Sequence, residues 1–192
     1  PAHHFSAFAY CFGGLTFFVV VIQVLSGLLL AMYYVPDIER AWDSIYHLQY
    51  NVAYGKIVRG MHHWGASVAI VMMFLHTLRV FFQGAYKKPR ELNWIVGVLI
   101  FLTMLALGLT GYLLPWDMKA LFATNVTLNI IESVPLIGEP LRTLLAGDSV
   151  ITGAQTLTRF FAIHVFFLPA LLFLLIGIHF FLIRRQGISG PL

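Results

Sequence analysis

His62 and His76 stand fourteen residues apart in an apolar run, Arg59 to Arg79, that is long enough to cross a bilayer. Ionisable groups at membrane depth are costly and by default mark a functional site. At about 100° per helical residue the two differ in facing by about 40°, so they look into one interior, about 21 Å apart along the axis. His63 differs from His76 by about 140° and points elsewhere. A second apolar run carries His164 and His179, fifteen apart, with Pro169 between them. The extra residue offsets their facing by about 60°, which Pro169 can relieve by kinking or locally rewinding the helix. Paired neutral imidazoles from facing helices are what a six-coordinate haem iron requires, and the interior of a helix bundle is where such a cofactor sits. His62 with His164 and His76 with His179 make two such pairs, hence two haems b about 20 Å apart and an electron path across the bilayer.

The neighbouring residues fit this chemistry. Arg59 precedes His62 by three and Arg79 follows His76 by three, while Arg159 precedes His164 and Arg184 follows His179 by five. A haem set edge-on in a membrane points its propionates at one interface, where guanidinium is a fitting partner. Gly13 and Gly27 in one span, and Gly97 and Gly111 in another, are each fourteen apart. They would let a flat macrocycle approach the helix backbone at both levels. Each feature also has a plainer meaning: a single intramembrane histidine often only packs, glycine is frequent in membrane helices, and helix-end arginines snorkel. Four histidines at matched depth are much harder to dismiss. Read alone, Cys11 is a packing residue; it is the single cysteine, so no internal disulfide forms, and no CxxC motif is present. His3, His4 and His47 read as interfacial.

Positioning these groups takes helices through a membrane. Of 192 residues, 59% are hydrophobic and only 10% charged, too apolar for a soluble domain of this size. Four segments meet the length rule for a span: Ala9 to Tyr34, Val58 to Phe82, Leu92 to Leu114 and Phe160 to Ile183. The expected fold is an all-α integral membrane protein, a four-transmembrane-helix bundle forming one domain over 1–192. Alternating spans make the second and fourth parallel, which sets His62 level with His164 and His76 level with His179. The first segment is too long for a cleavable signal peptide and lacks a basic n-region, and the absence of a leading methionine suggests a missing N-terminus. The loop GAYKKPRE is basic and the connection Pro36 to Tyr54 is acidic, so that basic loop and both termini belong on the cytoplasmic side. The net charge of +4 flanks membrane spans and implies no nucleic acid. Between the third and fourth spans, Pro115 to Arg159 is long and apolar, with LFATNVTLNIIESV and EPLRTLLAG forming short amphipathic helices, the second ended by Gly147. Such a connection serves as a lid or docking surface.

The motifs RGMHHWGAS, LHTLR, KKPRELNW, TGYLLPWD, SVPLIG, TLTRFFAIHVFFLP and RRQGISGPL closely resemble cytochrome b6, the four-helix N-terminal half of cytochrome b in quinol:cytochrome c (or plastocyanin) oxidoreductases. The likeness covers nearly the whole chain. It implies that His62 and His164 ligate the outer haem iron, and His76 and His179 the inner one. It also implies a covalently bound high-spin haem c on Cys11 within YCFGG, with Arg184 near its propionates. The implied partners are a C-terminal cytochrome b half (subunit IV-like), a Rieske iron–sulfur protein and a c-type cytochrome, in a homodimeric complex surrounded by membrane lipid. No PEWY sequence occurs, so the resemblance assigns part of the outer quinol site to the partner half.

The phenylalanine-rich first span and the sequences MHHWGAS and WDMKALFATNV look more like the menaquinol-oxidising enzymes of Gram-positive bacteria than plastid b6. A bacterial cell membrane follows. The implied activity is bifurcated quinol oxidation, with one electron crossing through two haems to an inner quinone and protons translocated outward. Two other readings stay open at this point. One is the di-haem membrane anchor of another oxidoreductase, such as a hydrogenase or b561-type cytochrome, although those lack YCFGG and the long loop. The other is a non-redox transporter whose histidines bind a metal ion or relay protons.

Overall fold

The computed structural model describes residues 11–147 and 152–187, so His3, His4, Ala9 and all but the first residue of the GISGPL terminus lie outside the described residues. Described elements are helical throughout: α1 (Phe12–Ala31), α2 (Ala41–Asn51), α3 (Gly55–Phe82), α4 (Glu91–Leu113), α5 (Met118–Glu132), α6 (Gly138–Ala146), α7 (Ala154–Ala162), a π turn (Ile163–Phe167) and α8 (Leu168–Gln186). Four stretches are long and apolar enough to cross a membrane: α1, α3, α4 and the continuous run Ala154–Gln186. Large apolar side chains such as Phe18, Trp64, Leu102 and Phe166 point outward from them, which is stable in lipid and costly in water. Hydroxyls in the spans bond their own helix: Thr16 Oγ1 donates to the Phe12 carbonyl at 2.8 Å, Thr77 to Met73 at 2.9 Å and Thr103 to Leu99 at 2.8 Å. Each thereby enters the apolar phase without an unsatisfied donor.

Span boundaries follow from what happens at their ends. The first helix stops at Ala31 rather than Tyr34, because Tyr34 leaves it to donate from Oη to the Leu114 carbonyl at 2.6 Å and to stack on Phe161 at 5.4 Å. Burial raises the pKa of that phenol, keeping it a donor. The fourth run begins at Ala154 rather than Phe160. There Thr156 Oγ1 accepts from the Gly153 N–H at 3.1 Å and donates to the Ala146 carbonyl at 2.8 Å, so a buried threonine starts α7 against the end of α6. An apolar-length rule sees only lipid-compatible residues and misses such a polar start. The short helices expected in the long connection are α5 and α6. Asp117 caps α5 by accepting from the Ala120 N–H at 2.8 Å, and Gly147, at φ +89°, closes α6.

The described residues fall into two compact units, each drawing on all four spans. One comprises the residues up to Ser26, Gly60–Ala106 and those from Leu168; Val20, Ala69, Met73, Ile100 and Leu172 are buried in it, and Phe17 packs edge-on to Phe180 at 5.1 Å. The other comprises Gly27–Arg59 and Leu107–Phe167, with a core of Leu113, Leu128, Ala146 and Phe160. In the latter, α5 and α6 are joined by an ion pair between Arg142 Nε and Glu132 Oε2 at 2.9 Å.

Candidate functional site

The first unit contains a cavity of about 360 Å³ whose walls include both His76 and His179. Gly13 and Gly97 also line it, as do Arg79, Arg90 and Asn93. A Cβ added at Gly13 would lie 3.0 Å from His76 Cε1, and one at Gly97 would lie 3.6 Å from His179 Cε1. The two glycines expected to make room for a macrocycle thus stand directly opposite the two rings. The Nδ1 of His179 is buried and directed at the Asn93 backbone without a hydrogen bond of full geometry. Arg90 closes one end by donating from Nε to the Gly187 carbonyl at 3.3 Å.

His62 belongs to the same unit and is held differently. Its Nδ1 lies 3.0 Å from Ser26 Oγ and 3.1 Å from the Gln23 carbonyl. A carbonyl only accepts, so the Gln23 contact makes Nδ1 of His62 the donor, and the Ser26 hydroxyl also lies 2.7 Å from the Ile22 carbonyl. With its amide oriented to satisfy both groups, the Gln23 side chain donates to the His62 carbonyl at 2.8 Å and accepts from the Ala66 N–H at 3.3 Å. His63 is exposed and packs edge-on to Trp64 at 5.4 Å, outside this arrangement.

In the second unit, Gly111 faces His164: a Cβ there would come within 2.7 Å of its Cε1. Nδ1 of His164 is 3.0 Å from Thr110 Oγ1, which also lies 3.2 Å from the Leu107 carbonyl. His164 sits in the π turn, where each hydrogen bond spans one residue more than in an α-helix. The turn therefore absorbs the fifteenth residue of the His164–His179 interval, and it lies just ahead of Pro169, whose missing N–H disfavours a regular turn there.

Other anticipated residues have different surroundings. Arg59 donates through Nη1 to Gln49 Oε1 on α2. Arg159 donates through Nη1 to the Thr143 carbonyl at 2.9 Å and also to that of Leu144, satisfying the last carbonyls of α6. Arg184 is exposed on the last turn of α8, and Cys11 is an exposed free thiol beside the start of α1. His47 is exposed on α2, next to Asn51. Gln23, Ser26 and Thr110 were not anticipated. Their signal was adjacency, because Ser26 and Thr110 immediately precede Gly27 and Gly111. Among the described residues no three His, Cys, Asp or Glu side chains gather into a bare-ion site.

Fold and site together define an all-α integral membrane protein whose spans seat histidine rings against glycines. The family model described as Cytochrome b/b6/petB matches residues 2–187. The chain belongs to the cytochrome b/b6 family. It is 78% identical over 192 residues to the menaquinol:cytochrome c reductase cytochrome b subunit of Bacillus subtilis (strain 168) and 77% identical to that of Geobacillus thermodenitrificans, in both cases spanning all of this chain and 86% of the relative. Identity to the cytochrome b6 of Auxenochlorella protothecoides is 43% over 183 residues, 95% of this chain and 85% of that one. Among solved structures it is similar to a chain of a hyperthermophilic respiratory complex III, with TM-score 0.87 and 35% identity over 95% of this chain. It covers 49% of that solved chain, about half its length.

Proposed function

We propose that this chain is the cytochrome b subunit of a menaquinol:cytochrome c reductase, a membrane complex of the complex III and b6f type. The observation that carries the reading is the cavity whose walls bring His76 and His179 together with Gly13 and Gly97, which suits a flat cofactor ligated on both faces. Family membership implies haem b, and bound haems would supply one-electron transfer across the membrane. His62 and His164 would hold the outer one, His76 and His179 the inner one. The chain does little acid–base chemistry of its own. Its histidines would supply the iron ligands, its glycines would admit the ring, and Arg79 and Arg90 place positive charge in the cavity wall where propionates would be stabilised. The apolar lining excludes water and keeps electrons on the intended path.

Finer parts of the reading follow from the resemblance. Cys11 would hold a haem c by one thioether bond near an inner quinone site, with Arg184 close by. A C-terminal cytochrome b half, a Rieske iron–sulfur protein and a c-type cytochrome would complete a homodimeric complex. The basic loop Gly84 to Glu91 and both termini would face the cytoplasm. A visible spectrum and redox titration of the purified chain test the core claim: two low-spin b haems are expected, and no Soret absorbance would refute it. Acid–acetone extraction followed by a pyridine haemochrome assay tests Cys11, since complete extraction of haem would rule out the thioether bond. Analysis of the co-purifying quinone tests menaquinol as substrate.

A further inference from the structure

We propose that α2 and Tyr54 form an aromatic anchor that seats this part of the chain in the headgroup layer of the surrounding bilayer. The inference goes beyond the haem reading and uses none of the four ligand histidines. Helical facing carries it. Trp42, Tyr46 and Tyr50 follow one another at four-residue steps, so they cover a stripe about 80° wide, and all three are exposed. Asp43, His47 and Asn51 form a second exposed stripe, rotated from the first by about 100°. Ala41 and Leu48, on the remaining side, are buried against the protein. A helix on the surface of a soluble protein meets two environments and needs two faces. One lying along a protein at a membrane surface meets three, protein, headgroups and water, and α2 has a stripe for each.

The attachments of α2 put its aromatic stripe at that boundary. It joins the end of α1 to the start of α3, two helices long and apolar enough to cross a membrane. Its protein side is fixed: Ser44 Oγ accepts from the Val35 N–H at 3.2 Å, Gln49 Oε1 accepts from Arg59 Nη1, and a Cβ added at Gly55 would come within 1.9 Å of the Leu48 carbonyl oxygen. Met32, Tyr33 and Ile57 at the adjoining span ends are exposed too, so lipid-facing surface borders α2 in the chain on both sides. Tyr54 is an independent sign. The turn into α3 holds it at φ +62°, a conformation less favourable for tyrosine than for glycine or asparagine, while the residue is 77% exposed. The chain itself offers that ring little contact. A headgroup layer does, because a phenol there keeps its ring in the apolar zone and its hydroxyl in water. Tyr46 and Tyr50 are already paired, with ring centroids 4.6 Å apart. From Pro36 to Tyr54 three acidic side chains stand against one arginine, so attraction to anionic lipid does not drive the seating.

Site-specific photo-crosslinking of the purified complex in phosphatidylcholine nanodiscs identifies what covers the stripe. The photoreactive p-benzoylphenylalanine replaces Tyr46, Tyr50, His47 or Phe18 one at a time, Phe18 being an exposed control on α1, and adducts are read by mass spectrometry. Lipid adducts are expected at Tyr46 and Tyr50 as at Phe18, with fewer, down to none, at His47. A polypeptide adduct at Tyr46 or Tyr50, the absence of lipid from either, or equal lipid adducts at His47 overturns the proposal. Hydrogen exchange gives a second reading that needs no bulky probe. In the double variant Tyr46→Ala/Tyr50→Ala the better helix former would by itself slow exchange over Ala41–Asn51, yet loss of the anchor should speed it several-fold relative to α5 in nanodiscs. Exchange that is unchanged or slowed would show that nothing outside the chain holds this stripe.

Discussion

A glycine's value at a ring contact depends on what the ring would give up by moving. At position 111 an added Cβ would come within 2.7 Å of His164 Cε1, and a ring displaced by it would strain or lose its contact with Thr110. Losing such a bond costs roughly 0.5–1.5 kcal/mol, which is up to about tenfold in affinity. At Gly97 the same Cβ would sit at 3.6 Å from His179, an ordinary contact, and Gly13 at 3.0 Å from His76 is intermediate. Haem retention, measured as haem per protein by pyridine haemochrome, should therefore fall most in Gly111→Ala, less in Gly13→Ala and least in Gly97→Ala. Equal retention in all three would show that these glycines do not admit the macrocycle. The histidines and the glycine period were legible in the sequence because helical geometry converts spacing into facing. Gln23, Ser26 and Thr110 were not, since hydroxyls in apolar helices bond their own carbonyls by default and spacing alone does not tell which also reach a neighbour.

Elements decide whether correct residues meet. The fifteen-residue interval in the last span pointed to a kink or a local rewinding, and the structure has the rewinding, a π turn at Ile163–Phe167 just ahead of Pro169. Deleting Phe167 together with Pro169→Ala should let the α-helix run straight with a fourteen-residue interval, preserving the facing of both histidines and both haem signals. Deleting Leu174 leaves the π turn and rotates His179 by about 100°, so the inner haem should be lost. Identical spectra from the two deletions would show that the turn does not set the register. Arg159 makes a contact that spacing does not announce. Its place five residues before His164 suggested a propionate partner, yet its guanidinium caps α6. Arg159→Gln should speed hydrogen exchange over Gly138–Gly147 without moving either haem potential; a shifted potential would return it to a propionate role. Such a cap joins residues that are distant in sequence, and no local pattern announces it.

At the scale of the molecule, one chain would hold two independent ligand sets. The pairing of His76 with His179 has both rings in one cavity wall behind it. The pairing of His62 with His164 comes from their matched positions near the starts of parallel spans, a depth argument that sequence alone could make. Single alanine substitutions test both together. A bis-histidine iron loses its low-spin state when either axial ligand goes, so His76→Ala and His179→Ala should abolish the same one of two low-spin signals, each leaving about half the low-spin amplitude. His62→Ala and His164→Ala should abolish the other. In the first two variants quinol should still reduce the outer haem, which then stays reduced because its electron has no inner acceptor. In the second two, bifurcated oxidation should stop at its first one-electron step. Redox titration with electron paramagnetic resonance sorts the four variants by which signal disappears. Sorting into any other pairs would overturn the ligand assignment, and retention of both low-spin haems in His76→Ala would remove His76 from it.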